Sequence, residues 1–277
     1  MFKKILISFL TFACQCFAHY DLSICAIFQD ESPYLKEWID YHLKVGVEHF
    51  YLYNNNSQDD YLKVLKPYIK SKVVELIEWP SYQEENDCEH FSFHVQIGAY
   101  NDAINRSKKK TKWLAIIDTD EFIVPVCDYK IVQVLEKYYS NASGVCVNWQ
   151  CYGTSHVTRC NSGEMLENLT LKMKWNHDRN KHSKTIVQPL HVEYCNNPHC
   201  CVYKKGHWAI DTCYNKCESC PNGVYIEKIR INHYWSRDEW FLHNVKIPRY
   251  ERWGVDRNAT LELAEEMNEE YDPIILK

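Results

Sequence analysis

Residues 114–124 read Leu-Ala-Ile-Ile-Asp-Thr-Asp-Glu-Phe-Ile-Val, and this stretch decides how the whole chain is interpreted. The apolar run Leu114–Ile117 is typical of a strand that is buried on both faces. Asp118 and Asp120 follow it directly, and buried carboxylates are costly unless they are paired or bound to a metal. We therefore expect the strand to deliver both carboxylates to a cleft at its carboxyl end. Two hard oxygen ligands suit Mg²⁺ or Mn²⁺ on a diphosphate, although Asp-x-Asp also occurs in solvated turns.

Strand-like and helix-like segments alternate upstream of this triplet. Ser32 is expected to cap a helix that has Pro33 in its first turn and ends at Gly46. Such alternation predicts an α/β domain with a largely parallel sheet. The predicted strands are 24–28, 50–53, 73–77 and 114–117, and the predicted helices are 32–46, 60–69 and 93–104.

A series of short motifs carries a resemblance to a known family. The motifs are Cys25–Glu31 with Glu37–His42, Gly46–Val47 with Tyr53–Ser57, Trp113–Phe122, Asn148–Trp149 with Gly153–His156, Lys184–Pro189, and Ile231–Trp235. In order and spacing they resemble glycosyltransferase family 92, formerly domain of unknown function 23 and related to the family 2 transferases. The resemblance covers roughly residues 22–250 and implies a GT-A (Rossmann-like) mixed sheet with flanking helices. It also implies a metal-assisted transferase that uses a sugar nucleotide and inverts the anomeric centre.

The resemblance implies a metal site at the Asp-x-Asp triplet. In a sugar transfer, the departing nucleoside diphosphate gathers negative charge, and a divalent ion bridging its phosphates neutralises that charge. We expect Asp120 to bind Mn²⁺ or Mg²⁺ directly and Asp118 to bind it directly or through water. His233 is the expected third protein ligand. A histidine beside aromatic residues also serves as a hydrogen-bonded packing residue, and that alternative stays open.

A further group of residues is expected to bind the donor. The turn 54–60 and the polar end of the first strand are expected to line the base and ribose pocket, although Asn and Asp also satisfy ordinary turns. Lys184, Lys246 and Arg249 are candidates for contacts with the diphosphate. The predicted donor-binding residues are Asp30, Glu31, Asn54, Asn55, Ser57, Asp59, Gln96, Asn101, Asp118 and Lys184.

An inverting transfer also needs a carboxylate that removes the proton from the acceptor hydroxyl. Asp238 and Glu239 are the first choice for this catalytic base, and Glu121 and Glu164 are the alternatives. Each is otherwise an ordinary solvated charge. The expected substrates are a UDP-hexose, with galactose as the family-based choice, and a hydroxyl of a glycan or glycoconjugate.

Composition describes one enzyme-sized domain. The chain of 277 residues is 45% hydrophobic, which is enough to bury a full core in one catalytic unit over residues 19–277. Its net charge of −5 gives no electrostatic case for a nucleic-acid partner.

Residues 1–18 have the features of a targeting segment. Lys3 and Lys4 precede the apolar run Ile5–Ala18, whose end fits a signal-peptide cleavage site. As a helix this run would span roughly 21 Å, short of a hydrocarbon core of about 30 Å. We expect a cleaved signal peptide and an exported or secretory-pathway protein. A short membrane anchor or a lipidated Cys14 are the alternatives.

Cysteines crowd into one segment near the C-terminus, residues 195–220. In an exported protein they predict disulfides that staple a loop-rich segment. A structural zinc site is the alternative, because the Cys217-x-x-Cys220 pair, with Cys213, His199 or His207, offers four ligands. The six cysteines of the segment are Cys195, Cys200, Cys201, Cys213, Cys217 and Cys220.

Other functions account for less of the sequence. A haloacid-dehalogenase-type phosphatase also uses Asp-x-Asp, but there the triplet lies in the first strand, and Thr or Val occupies the position of Phe122. A non-catalytic secreted carbohydrate-binding protein explains nine Trp and 20 Tyr residues, but it needs neither Asp118 nor Asp120. A cysteine-stapled structural or adhesion protein explains only residues 195–220.

Overall fold

A computed structural model describes residues 19–80 and 91–276 of the chain. The predicted signal peptide, residues 1–18, lies outside the described residues, as do residues 81–90 and 277. In the described ranges, no helix combines the length and apolar content that crossing a bilayer requires.

The chain alternates short strands and helices. The strands are β1 (Tyr20–Phe28), β2 (His49–Asn54), β3 (Val74–Glu78), β4 (Thr111–Ile116), β5 (Glu121–Pro125), β6 (Gly144–Cys151), β7 (Leu171–Lys172), β8 (Ser183–Val187), β9 (Val192–Cys195), β10 (Cys201–Tyr203), β11 (Ala209–Asp211), β12 (Lys216–Cys217), β13 (Ile229–His233) and β14 (Glu270–Tyr271). The α-helices are α1 (Ser32–Lys44), α2 (Tyr61–Lys70), α3 (Ile97–Ser107), α4 (Ile131–Tyr139), α5 (Met165–Asn168), α6 (Glu239–Phe241), α7 (Ile247–Arg252) and α8 (Arg257–Glu266). A π-helical turn, Phe91–Gln96, leads into α3, and another, Leu242–Lys246, joins α6 to α7.

The central sheet is mixed and has ten strands. Its main path runs β12-β11-β6-β8-β4-β1-β2-β3, in which β4, β1, β2 and β3 are parallel and β8 is antiparallel to both neighbours. β13 leaves this path: it pairs in parallel with β6 and antiparallel with β5. The predicted mixed α/β class with flanking helices is confirmed, and the parallel part is the N-terminal part that the strand–helix alternation identified.

The central strands are buried on both faces. In β1, Leu22, Ile24 and Ala26 belong to one apolar cluster, while the intervening Cys25 and Ile27 belong to a second cluster. β4 shows the same alternation between the two clusters. Side chains on a strand point alternately to opposite faces, so an unbroken apolar run is what a sheet covered by helices on both sides requires.

Helix α1 begins one residue earlier than a cap at Ser32 would place it. Ser32 is the first helical residue, and its N–H donates to Oδ2 of Asp59 at 2.7 Å. The carboxylate that satisfies this N–H therefore comes from a distant turn. A helix N-terminus accepts any well-placed oxygen, so the local sequence alone could not identify this partner.

His42 is a buried residue of α1 that links the helix to β5. Its Nδ1 lies 2.8 Å from the Trp38 carbonyl oxygen, and its Nε2 accepts from the Ile123 N–H at 3.3 Å. Burial lowers the pKa of His42 to about 3. The ring is therefore neutral at physiological pH, and it serves as a packing residue with two satisfied nitrogens.

The cysteine-rich segment contains a disulfide between Cys195 and Cys201, which face each other across the β9–β10 hairpin. The prediction of a disulfide in residues 195–220 is confirmed for this pair. In the described ranges, no group of three or more His, Cys, Asp or Glu side chains is arranged to hold a metal ion. The remaining cysteines of the segment, Cys200, Cys213, Cys217 and Cys220, are thiols.

Candidate functional site

The Asp118-Thr119-Asp120 triplet forms the turn between β4 and β5. β4 ends at Ile116, and β5 begins at Glu121. The Glu121 N–H donates to the Asp118 carbonyl oxygen at 3.2 Å, and the Asp118 N–H donates to Oε2 of Glu121 at 2.8 Å. The two carboxylates are therefore presented at the carboxyl end of the central strand, as the apolar run predicts.

The Asp118 carboxylate is held by three side chains. Lys184 Nζ lies 2.8 Å from Oδ2, while Gln96 Nε2 and the Tyr100 hydroxyl each donate to Oδ1 at 3.0 Å. Burial by itself lowers the pKa of Lys184, but the carboxylates of Asp118 and Glu121 outweigh burial and raise that pKa above its usual value. The negative charge of Asp118 is therefore compensated by the buried ammonium group of Lys184, on the antiparallel strand β8.

Asp120 faces His233 across the paired strands β5 and β13. Their side chains approach to 3.6 Å between Oδ2 and Nε2, longer than an ordinary hydrogen bond. Burial lowers the pKa of His233, although the neighbouring Asp120 carboxylate opposes this shift. Burial opposes ionisation of Asp120, but His233, Lys246 and Arg237 outweigh it and lower the pKa of that carboxyl. The pair thus presents a carboxylate beside an imidazole.

Asp120 and His233 have the chemistry of a two-ligand metal site. An ionised carboxylate and a neutral imidazole are the forms that bind metal ions. Mg²⁺ and similar ions commonly take only one or two protein ligands and complete their shell with waters and substrate phosphates. This explains why a site can exist although the described residues contain no group of three metal-binding side chains. The residues present therefore fit a divalent ion that arrives with a diphosphate.

A cavity of about 180 Å³ opens beside the triplet. It is lined by the end of β1, by Asn55 and Gln96, and by Asp118–Asp120. Lys246 and Arg249 complete its lining. Carboxylates and cations thus line the same small cleft, a combination that suits a metal–diphosphate group.

The structure distributes the predicted donor-binding residues over three places. Glu31, Asn55, Gln96 and Asp118 line the 180 Å³ cavity, which we call the donor cavity. Asp30 and Asp59 line a larger neighbouring cavity instead. The remaining four, Asn54, Ser57, Asn101 and Lys184, are not among the residues that line either cavity.

Asn54 and Ser57 hold the turn after β2 together. Asn54 Nδ2 donates to the Tyr61 hydroxyl at 2.9 Å and to Oε2 of Glu78 at 2.7 Å, and its Oδ1 accepts from the Ser57 N–H at 3.0 Å. Ser57 Oγ accepts from the Asp30 N–H at 3.0 Å. These contacts agree with the alternative interpretation as an ordinary polar turn, because both side chains form hydrogen bonds that stabilise the turn.

Asn101 was predicted to bind the donor, and its contacts give it another role. Its Nδ2 donates to the Cys195 carbonyl oxygen at 3.1 Å, and its Oδ1 accepts from the Cys195 N–H at 2.7 Å. The amide group therefore pairs with the backbone of β9 in both directions and fastens that strand to α3. Lys184 also has another role than the predicted one. It is buried, and its ammonium group neutralises the Asp118 carboxylate.

The carboxylates predicted as the catalytic base are engaged elsewhere. Asp238 caps α6, and its two oxygens accept from the Phe241 and Cys160 N–H groups, each at 2.8 Å. Glu239 accepts a hydrogen bond from the Thr154 hydroxyl. Of the alternatives, Glu121 is fully buried, and Glu164 accepts from Asn161 on an exposed loop. The base assignment stays a prediction, and these contacts speak against each of the four.

Two contributors to the site were not identified from the sequence. Tyr100 lies on α3, and its hydroxyl donates to Asp118. Arg237, in the turn after β13, forms an ion pair with Glu31 and is itself buried. The sequence contains one signal that could have identified Arg237. This arginine lies four positions after His233, a candidate ligand at the end of a predicted strand.

Comparisons with known proteins agree with this geometry. The family model described as glycosyltransferase family 92 matches residues 20–262. A family 92 protein of Ricinus communis is 29% identical over 104 residues, which cover 37% of this chain and 17% of that protein. A galactan beta-1,4-galactosyltransferase of Arabidopsis thaliana is 32% identical over 130 residues, which cover 43% of this chain and 25% of that protein. The chain therefore aligns with at most about a quarter of these relatives' length.

Solved structures give a weaker likeness. Residues 1–349 of S. aureus TarS superpose with a TM-score of 0.41 at 8% identity, covering 89% of this chain and 70% of that one. A score this low says nothing about ligands or activity. The family model, by contrast, matches nearly the whole described domain, including the Asp118–Asp120 turn and the His233 strand. The chain therefore belongs to glycosyltransferase family 92.

Proposed function

We propose that this chain transfers a hexose from a UDP-sugar to a hydroxyl group of a glycan or glycoconjugate, with help from Mn²⁺ or Mg²⁺. The observation that carries the proposal is the pairing of Asp120 with His233 at 3.6 Å on a cavity that Lys246 and Arg249 also line. A metal–diphosphate group needs this combination of ligands for the ion and cations for the phosphates.

Galactose is the proposed hexose, and UDP-galactose the proposed donor. The support is the relative named as a galactan beta-1,4-galactosyltransferase, which is 32% identical over 130 residues. A glycan acceptor follows from the same relative. Because the chain covers only 25% of that protein, the donor and the acceptor are both part of the proposal.

The residues around the donor cavity have different proposed roles in binding the metal and the diphosphate. Asp120 and His233 would hold the metal, with Asp118 oriented by Lys184, Gln96 and Tyr100 to bind one of its waters. A divalent ion held there supplies positive charge to the α- and β-phosphates of the leaving group. The cations that line the cavity bind the same phosphates.

The nucleoside would lie deeper in the donor cavity. Two lining residues would contact the base and ribose with their polar side chains. Asn55 directly follows β2, and Gln96 is the last residue of the π-helical turn before α3. The glycosidic bond then breaks as the acceptor oxygen attacks from the opposite side, which inverts the anomeric centre. This direct displacement requires one base and no covalent sugar–enzyme bond.

A secretory-pathway or exported location is part of the proposal. The Cys195–Cys201 disulfide supports it, because disulfides persist mainly in oxidising compartments. Membrane association through the N-terminus concerns residues 1–18, which lie outside the described residues.

Substitution Asp120→Asn tests the proposed metal role. It removes one preorganised charge, so transfer should fall at least about a hundredfold. UDP release from a panel of UDP-sugars with Mn²⁺ measures the activity, and calorimetric titration of UDP with and without Mn²⁺ measures the coupling. Asp178→Asn, at an exposed ion pair, is the matched control. Equal UDP affinity with and without Mn²⁺, or a near-normal rate in folded Asp120→Asn protein, would contradict the proposal.

A further inference from the structure

A second, larger cavity adjoins the donor cavity. Its volume is about 670 Å³, and aromatic side chains from Tyr34, Trp240 and Phe241 contribute to its lining. Gln29, Glu31 and Arg249 line both cavities, so they form the boundary between them. Aromatic rings combined with a few polar groups are what a neutral pyranose ring contacts in a binding cleft. The second cavity thus has the chemistry and the place of an acceptor site.

Glu31 is the carboxylate on this boundary. A base for sugar transfer must lie within hydrogen-bond reach of the attacking hydroxyl, and that hydroxyl must in turn reach the anomeric carbon of the donor. Only a group accessible from both cavities meets the two conditions. Of the three boundary residues, Glu31 alone has an acidic side chain.

The other carboxylates of the second cavity are occupied by backbone N–H groups. Both oxygens of Asp238 accept such bonds. Asp59 accepts from the Ser32 N–H at 2.7 Å and from the Tyr61 N–H at 3.2 Å. Asp30 accepts from the Gln58 N–H at 2.7 Å through Oδ1. Hydrogen bonds to the ionised form make a carboxylate a poorer proton acceptor.

Glu31 has a different environment. Its Oε2 pairs with Nη2 of Arg237, which fixes the direction of the carboxylate. Burial raises the pKa of Glu31, and the effect of burial exceeds the opposing effect of Arg237. The side chain is thus both oriented and a better proton acceptor than an exposed glutamate.

We propose that Glu31 is the general base of the transfer and that the acceptor glycan enters through the second cavity. The inference rests on the proposed function. As the acceptor oxygen forms its bond to the anomeric carbon, the acceptor O–H proton passes to the free carboxylate oxygen of Glu31. The bond from the anomeric carbon to the phosphate oxygen breaks, and UDP leaves with its electron pair. Glu31 afterwards releases the proton to water.

Glu31→Gln is the decisive variant, because it keeps an oxygen for Arg237 and removes the basicity. With UDP-galactose, Mn²⁺ and β-1,4-galactobiose, kcat should fall at least about a hundredfold, the range of a lost general base. Hydrolysis of UDP-galactose by water should fall with it. The UDP affinity in the presence of Mn²⁺ should stay unchanged, whereas the Tm should fall because the buried Arg237 loses its counter-charge. The control is Glu37→Gln, which changes a hydrogen-bonded glutamate of α1 and should retain kcat.

Glu31→Asp covers the case in which Glu31→Gln fails to fold. It keeps the charge for Arg237 but withdraws the carboxylate by about one bond, and misplacements of this size cost up to about a hundredfold in rate. Its kcat should therefore fall at least tenfold at an unchanged Tm. Folded Glu31→Gln or Glu31→Asp protein with kcat within threefold of wild type would overturn the base assignment and leave the proposed function standing. A wild-type protein without turnover of any UDP-sugar would overturn both.

Discussion

The N-terminal region, residues 20–125, and the C-terminal region, residues 144–276, contribute opposite chemistry to the site. The N-terminal region supplies carboxylates: Glu31, Asp118 and Asp120. The C-terminal region supplies their partners, and each pair spans the two regions: Arg237 with Glu31, Lys184 with Asp118, and His233 with Asp120. The carboxylates of the site therefore meet their partners only when the two regions are packed together.

The difference in regularity matches the difference in chemistry. The N-terminal region is built of longer strands and helices, and the carboxyl ends of its parallel strands meet at one edge of the sheet. The C-terminal region consists mostly of short strands and turns, which fold around that frame and reach the edge from several directions. The regular region positions the carboxylates of the site, and the irregular region supplies the side chains that pair with them.

Breaking the buried pair between the regions should have the largest effect on stability. Lys184→Met leaves Asp118 without its cation, and an uncompensated buried charge costs about 3–5 kcal/mol. We expect the free energy of unfolding to fall by about 3 kcal/mol, the lower end of that range, because the Asp118 side chain is 32% exposed to solvent. Urea denaturation at pH 7 measures this change.

Lys181→Met is the control for that measurement. Lys181 pairs with Asp178 at 2.7 Å, but both side chains are exposed, so the loss should not exceed about 1 kcal/mol. The double variant Lys184→Met with Asp118→Asn should regain part of the stability. Equal costs for Lys184→Met and Lys181→Met would show that the regions do not depend on each other through this pair.

Acid should weaken the N-terminal region through His42, independently of the C-terminal region. The folded pKa of about 3 lies below the unfolded value of about 6.5, so unfolding takes up a proton between those values. Stability should therefore fall as the pH falls through this window, and His42 alone should account for about 2 kcal/mol at pH 5. Denaturation curves from pH 7 to 5 measure the slope.

His42→Gln supplies the comparison for this slope. Glutamine can accept from the Ile123 N–H and donate to the Trp38 carbonyl oxygen, which are the two contacts of His42. The variant should be less stable at pH 7 yet lose less stability on acidification. Parallel curves for variant and wild type would mean that the buried ring is not the acid-sensitive group.

The smallest expected effect concerns His233, the proposed metal ligand from the C-terminal region. His233→Ala should raise the Mn²⁺ concentration needed for UDP binding about tenfold, which corresponds to about 1.4 kcal/mol. The Tm without metal should change little. Calorimetry with UDP and Mn²⁺ measures the first quantity, and thermal unfolding measures the second.

His182→Ala separates ligation from packing. His182 and His233 both lie against the Trp149 ring, with centroid distances of 5.2 and 4.2 Å. If packing on Trp149 were the role of His233, the two variants would lower the Tm alike and leave the Mn²⁺ requirement unchanged. A shift of the Mn²⁺ requirement in His233→Ala alone supports the metal role.

The features that depend on local pattern were predictable from the sequence. The apolar run before Asp118 specifies a buried strand, and the polar group after a buried strand must lie at its end. The same reasoning located Glu31 and Asn55 on the donor cavity. It depends only on the alternation of side chains and on the parallel arrangement of strands.

The pairings between regions could not be predicted in the same way. Asn101 and Gln96 lie close together on one helical segment, yet one bonds the backbone of Cys195 and the other bonds Asp118. Nothing in the spacing of these two amides distinguishes their partners. Likewise, Asp238 resembles a strand-end carboxylate in sequence, but its neighbouring N–H groups make it a helix cap. Such outcomes are decided by which surfaces meet during packing.

The antiparallel pairing of β5 with β13 has a consequence for how this site can evolve. In its register Glu121 lies opposite His233, and the Tyr234 N–H donates to the Asp120 carbonyl oxygen at 2.9 Å. The separation of Asp120 from His233 is thus set by a backbone ladder, whatever the length of chain that connects them. Insertions or deletions between β5 and β13 can reshape the proposed acceptor surface while leaving the two proposed ligands in register. New acceptor preferences can then arise in this fold without a change in the proposed metal site.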